Sequence, residues 1–218
     1  MEQSPDIDKK IIILSSIIPF IISLCMVLVF LIEQLLHASF SNMGVYPRDL
    51  NHLHGIVFSP FIHGDLYHLL NNIMPFFFLT WTLLYFYRRL AYKILILSWI
   101  FSGFFLWLGG REAFHIGASG VIYALAAFLF LSGFIRGYYK LIAISLLIVF
   151  LYGYMVWGIF PSKPSISWEG HLWGMITGLA LAVIYKNEGP KKPLVIWDEE
   201  DEVENNTEIE SSNNDHVK

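Results

Sequence analysis

His68, Asn72, Ser119 and His171 stand at the starts of long apolar stretches. Strongly polar or ionisable groups inside such stretches are costly and mark function by default. A serine hydroxyl is a weak nucleophile until a base takes its proton, and histidine is the usual base. In the first turn of a helix, Ser119 would lie beside unpaired backbone N–H groups and the positive end of the macrodipole. Those are the donors that a developing oxyanion needs. His68 and Asn72 are four residues apart, hence on one helix face, and both can donate hydrogen bonds toward one point. Tyr123, one turn after Ser119, would sit beneath the pair and pack on the imidazole. Each residue alone has a plainer reading: a serine bonded to its own backbone, a structural histidine, an asparagine joining helices, one tyrosine among 11. The conjunction is what points to acyl-transfer chemistry.

The elements that must position these groups are membrane helices. Of 218 residues, 56% are hydrophobic and 15% charged, whereas about a quarter of an ordinary soluble domain is charged. Six apolar segments, at roughly 11–36, 66–87, 91–110, 116–136, 140–160 and 166–185, each approach the ~20 residues that cross a ~30 Å hydrocarbon core. The runs are continuous and lack the period-two alternation of a membrane barrel. An all-α polytopic membrane protein with six transmembrane helices is therefore expected. Lys9 and Lys10 precede an uncharged run from Ile11 to Ile32. No small-x-small cleavage pattern follows, so this reads as an uncleaved first span. The single Cys25 allows no internal disulfide and is expected to be a buried thiol.

The sparse charges carry the orientation. With the N-terminus in the cytoplasm, eleven basic residues lie inside (Lys9, Lys10, Arg88, Arg89, Lys93, Arg136, Lys140, Lys186, Lys191, Lys192 and Lys218). Only Arg48, Arg111 and Lys163 lie outside. This positive-inside bias predicts cytoplasmic termini in a plasma membrane. The second, fourth and sixth segments then all start from the outer face, which lets His68, Asn72, Ser119 and His171 converge at shallow depth. A stripe of Gly170, Gly174, Gly178 and Ala182 can meet Gly117, Gly120, Ala124 and Ala127 at the close approach that small residues allow in lipid. Two loops differ from simple connections. Residues 37–65 are long and carry enough apolar side chains to be partly folded and to lie partly in the membrane interface. Residues 110–118 deliver the chain into the fourth helix. Nine of the 18 acidic residues fall in the last 21 positions, so the tail is expected to be disordered. The expected organisation is a cytoplasmic segment 1–10, a six-helix domain 11–187 and an acidic tail 188–218.

Three motifs resemble those of rhomboid intramembrane serine proteases. They are His63-Gly-Asp-Leu-Tyr-His68-Leu-Leu-Asn71-Asn72, Gly117-Ala118-Ser119-Gly120, and Gly170-His171 followed by Gly174 and Gly178. They fall in order on the second, fourth and sixth helices, and the resemblance spans roughly residues 11–187. It implies that Ser119 is the nucleophile and His171 its general base, a dyad without an acidic third member. It further implies an oxyanion hole of His68, Asn72 and the Ser119 N–H, a Tyr123 packed on His171, and supporting roles for Gly117, Gly120 and Gly174. The substrates implied are transmembrane segments of single-span or polytopic membrane proteins, cut near the outer face after lateral access from the bilayer. No cofactor, metal or nucleic-acid partner is expected. Glu169, two positions from His171 on a helix, points elsewhere and reads as an interfacial charge. Family members often carry a Trp-Arg pair in the first long loop. Here Arg48 follows Pro47, with no tryptophan in 38–65, which leaves open how this loop is anchored. Gly170 also replaces the alanine common before the histidine.

Three other readings compete. A catalytically inactive rhomboid-like protein that binds membrane clients would carry degenerate motifs, yet every catalytic position is intact. A transporter or channel would need polar groups deeper in the membrane and an internal repeat. A zinc peptidase could draw on His63, His68, His115 and His171, but there is no HExxH and the Gly-Ala-Ser-Gly would go unexplained.

Overall fold

The computed structural model describes residues 5–161 and 166–191. The expected acidic tail beyond 191 lies outside the described residues. Helix α1 spans Pro5–Leu36, and the loop after it contains the one-turn helix α2, Gly55–Phe58. The long helices that follow are α3 (Leu66–Tyr87), α4 (Arg89–Gly109), α5 (Ser119–Arg136), α6 (Tyr139–Tyr152) and α7 (Trp168–Ile184). Among the described residues, five elements are long and apolar enough to cross a membrane: Lys9–Leu36, Leu66–Tyr87, Arg89–Gly109, Ser119–Arg136 and Tyr139–Ile159. With 17 residues, α7 is shorter. It reaches about 25 Å at ~1.5 Å per residue, and it completes the six-helix bundle by packing against α4 and α5.

Helix α5 is the hub, touching α3, α4, α6 and α7. Its most extensive partner is α7, for the reason the small-residue stripes suggested. A Cβ at Gly174 would collide with the carbonyl of Gly120, and one at Gly178 with the carbonyl of Ala124. Backbone therefore rests on backbone along this seam. Around it, Phe76, Leu79, Leu83, Ile94, Ile122, Leu125 and Phe128 form the buried apolar core. Helices α1 and α6 lie at the periphery. Phe150 of α6 is 85% exposed, as suits a helix facing lipid tails. Cys25 on α1 is only half-buried, because α1 packs mainly along one face against α3.

Two boundaries depart from the sequence expectation. Helix α5 begins at Ser119 rather than near 116. The fifth span stops as an α-helix at Tyr152 and continues as a 3-10 segment, Gly153–Ile159. Gly153 and Gly158 bracket that change, and glycine weakens an α-helix most among residues other than proline.

The long loop is folded, as expected. It comprises 3-10 turns at Ser41–Met43, Leu50–His52 and Ser59–Phe61, together with α2. Its anchor, left open by the missing Trp-Arg pair, is a two-bond antiparallel bridge between Val45 and His115 (2.9 and 2.8 Å). Further ties run between Trp107 Nε1–H and the Asp49 carbonyl (3.0 Å) and between Arg48 and the Gly110 carbonyl (2.8 Å). At the other end of the bundle Arg136 reaches the carbonyls of Tyr185, Glu188 and Pro190, fastening the chain just past α7.

The seam makes a direct prediction. Gly178→Val should destabilise the protein by about 2–3 kcal/mol, since an overpacked contact against backbone has little freedom to relax. A Cβ at Gly64 meets nothing closer than Ile116 Cδ1 at 3.8 Å, so Gly64→Ala should change stability by less than about 0.5 kcal/mol. Thermal unfolding in detergent distinguishes the two.

Candidate active site

The turn before α5 positions Ser119, the candidate nucleophile. Gly117 takes φ +101°, a region open chiefly to glycine, and its N–H is held by the Ser59 carbonyl at 2.8 Å. Ala118 then caps the helix, and the Ile122 N–H bonds back to the Ala118 carbonyl at 3.0 Å. The N–H groups of Ser119, Gly120 and Val121 consequently have no acceptor within the helix.

His171 is the fourth residue of α7 and meets Ser119 across the glycine seam. Its Nε2 lies 2.9 Å from Ser119 Oγ, and its Nδ1 lies 2.8 Å from the carbonyl oxygen of Gly158. A carbonyl only accepts, so Nδ1 carries the proton and Nε2 turns its lone pair toward the hydroxyl. That is the tautomer a general base requires. Tyr123 lies flat against the imidazole, with centroids 4.3 Å apart and planes 7° apart, and its hydroxyl donates to the Met155 carbonyl at 2.6 Å. Both carbonyls belong to the 3-10 segment Gly153–Ile159, whose role the sequence reading missed. The available signal was Gly153 and Gly158 interrupting an otherwise apolar run.

His68 approaches from α3. A Cβ on Gly117 would come 2.6 Å from His68 Nε2, so this imidazole lies against the turn that leads into Ser119. Gly117 is thus fixed both by its φ and by His68. Asn72, one turn along the same face, is buried, and its Nδ2 donates to the His68 carbonyl at 2.8 Å. Among the described residues its Oδ1 has no hydrogen-bond partner. The Asp65 carboxylate caps α3 by accepting from the His68 N–H at 2.7 Å. Gly120 and Gly174 face each other at the seam directly beside the dyad.

Other polar groups surround this core. His63 is buried with its ring at a steep angle to that of His68 (5.1 Å, 70°). Burial holds its pKa down at about 4. His115 is also buried, and burial lowers its pKa as well. Its Nε2–H donates to the Arg111 carbonyl (3.0 Å) and its Nδ1 accepts from the Ser167 hydroxyl (2.6 Å). Among the described residues no three of His, Cys, Asp and Glu gather as metal ligands. Glu169 corrects the sequence reading of an interfacial charge. It is buried, and it pairs with Arg111 at 3.3 Å. Helical spacing does turn it away from His171, but toward loop 110–118 rather than toward solvent. A cavity of about 30 Å³ adjoins Ser119, with Ser59, Ser102, His115, Ser167 and Gly170 among its lining. Its walls are mixed, with Ile56, Trp99 and Leu106 beside these polar groups, and it is large enough for a water molecule.

Residues 50–188 match the family model described as Rhomboid domain, a region that contains every group just described. The chain belongs to the rhomboid family. This rhomboid is 33% identical over 168 residues to uncharacterized proteins of Mycobacterium bovis and Mycobacterium tuberculosis, covering 72% of this chain and 69% of theirs. An uncharacterized protein of Mycobacterium leprae is 33% identical over 167 residues, covering 72% and 66%.

The buried histidines of this rhomboid predict a pH dependence. Below about pH 6.5 the unfolded chain protonates His63, while the folded chain resists until about pH 4. The unfolded state then binds more protons, so stability is full above the unfolded pKa and falls as pH drops toward 4. His63 alone can account for up to about 3 kcal/mol of that loss. Thermal midpoints measured between pH 7.5 and 4.5 should fall, and His63→Gln should flatten the profile.

Proposed function

We propose that this rhomboid is an intramembrane serine endopeptidase that cleaves transmembrane segments of other membrane proteins. The observation that carries the reading is the 2.9 Å contact between Ser119 Oγ and His171 Nε2, with the opposite nitrogen committed to Gly158.

The chemistry follows from these positions. His171 Nε2 takes the Ser119 proton as Oγ attacks the scissile carbonyl. Negative charge develops on the carbonyl oxygen at the start of α5. There the Ser119 N–H, His68 and Asn72 serve as donors, strengthened by the helix dipole. His171 then returns the proton to the leaving amine, and an acyl-enzyme on Ser119 remains. Water, for which the adjoining cavity has room, attacks that ester with His171 again as base. The imidazolium formed in each half-reaction has no carboxylate partner on Nδ1. The Gly158 carbonyl and the face of Tyr123 take that role, the latter as a cation–π contact.

The positive-inside bias supports a site near the outer face with both termini cytoplasmic, and a plasma membrane is the location we assign. The protease core is residues 11–187, flanked by the segment 1–10 and the acidic tail 188–218. Substrates are single-span or polytopic proteins that reach the site from the bilayer.

The test is cleavage of a model single-span substrate by the purified protein. Ser119→Ala and His171→Ala should abolish the activity, and undiminished cleavage by either would refute the reading. His68→Ala and Asn72→Ala should lower kcat by about 10²-fold, the cost of removing one oxyanion donor, with little change in KM.

A further inference from the structure

A second set of polar groups, with His115 and Glu169 buried and Arg111 and Ser167 partly so, lies just upstream of both residues of the dyad. In loop 110–118, Arg111 Nη1 sits 3.4 and 3.3 Å from the two carboxylate oxygens of Glu169, and Nη2 donates to the Ile166 carbonyl at 3.0 Å. The same loop's His115 takes the Ser167 hydroxyl at 2.6 Å and gives its Nε2–H to the Arg111 carbonyl. The Glu169 side chain is 6% exposed, and a carboxylate withdrawn from water to that extent requires a partner. The two sides of this clasp lead straight to the dyad. Arg111 and His115 precede Ser119 on one side, and Ser167 and Glu169 precede His171 on the other. The loop is itself held from behind by the Val45–His115 bridge and by the Ser59 carbonyl on the Gly117 N–H.

The clasp answers a need that the seam creates. Glycine against glycine brings α5 and α7 close, but it offers few side-chain ridges to stop one helix sliding or turning on the other. A directional, two-armed contact at one end supplies that restraint. We infer that Arg111 and Glu169 are positioning residues, whose ion pair fixes the height and rotation of α7 so that His171 Nε2 meets Ser119 Oγ. This rests on the dyad reading above. A misplacement of about 1 Å in such a pair can cost about 10²-fold in rate.

The experiment compares the full chain with Glu169→Gln, Arg111→Gln and the double variant, using Ser119→Ala as control. The readouts are kcat, KM and thermal midpoint in detergent. Arg111→Gln leaves the buried Glu169 carboxylate without its guanidinium, whereas the double variant leaves no buried charge. The double variant should keep a near-native midpoint, yet show kcat lowered about 10- to 100-fold at unchanged KM. A double variant that regains wild-type kcat would overturn the inference, because the pair would then act only through stability. Should the double variant fail to fold, Glu169→Asp decides. It keeps the charge but shortens the arm, and lowered kcat at unchanged KM supports positioning while wild-type kcat overturns it. If the wild type cleaves no better than Ser119→Ala, the protease reading falls and this inference falls with it. If the wild type cleaves and the double variant matches it, only this inference is lost.

Discussion

The structure depends on one close approach, the contact of α5 and α7 along Gly120, Ala124, Gly174 and Gly178. In a bilayer there is little hydrophobic force to press helices together, so packing and hydrogen bonding must do it. Backbone-to-backbone contact maximises that packing. It also has a chemical consequence. Serine has a short side chain, and only helices this close can bring Ser119 Oγ within 2.9 Å of His171 Nε2. The same stripe that holds the bundle together therefore sets the geometry of the site.

The remaining elements hold the dyad's partners in place. His171 is oriented by a backbone carbonyl and an aromatic face, not by a buried acid. That choice suits a site within the membrane. A carboxylate there would need to be desolvated, whereas a carbonyl at the end of a 3-10 segment is neutral and already fixed. The Gly153–Ile159 segment thus serves as more than a connector, since it supplies acceptors to both Tyr123 and His171. The one carboxylate close in sequence, Glu169, is directed instead toward Arg111. There it joins the two chain segments that lead into Ser119 and His171.

Much of this was legible in the sequence, for physical reasons. Apolar runs of about twenty residues admit few interpretations. Once they alternate in direction, His68, Ser119 and His171 must share an end. The Gly170–Gly178 stripe foretold the seam, and Tyr123 one turn after Ser119 foretold the stack. What stayed hidden was backbone geometry and long-range pairing. The Gly158 and Met155 carbonyls have no side-chain signature. The Val45–His115 bridge joins positions seventy residues apart. Glu169 was read from its own helix alone, which correctly turned it from His171 but said nothing of a loop more than fifty residues earlier. Arg111 and Glu169 as opposite charges assigned to one end of the bundle were the available clue.

On this reading, His171 activates Ser119 within the folded bundle. Covalent labelling with a fluorophosphonate, followed by mass-spectrometric mapping of the modified residue, tests it most directly. A single adduct on Ser119 is expected in the wild type, and its loss in His171→Ala at an unchanged thermal midpoint. Labelling of Ser119 that persists undiminished without His171, or no labelling of Ser119 in the wild type, would contradict it.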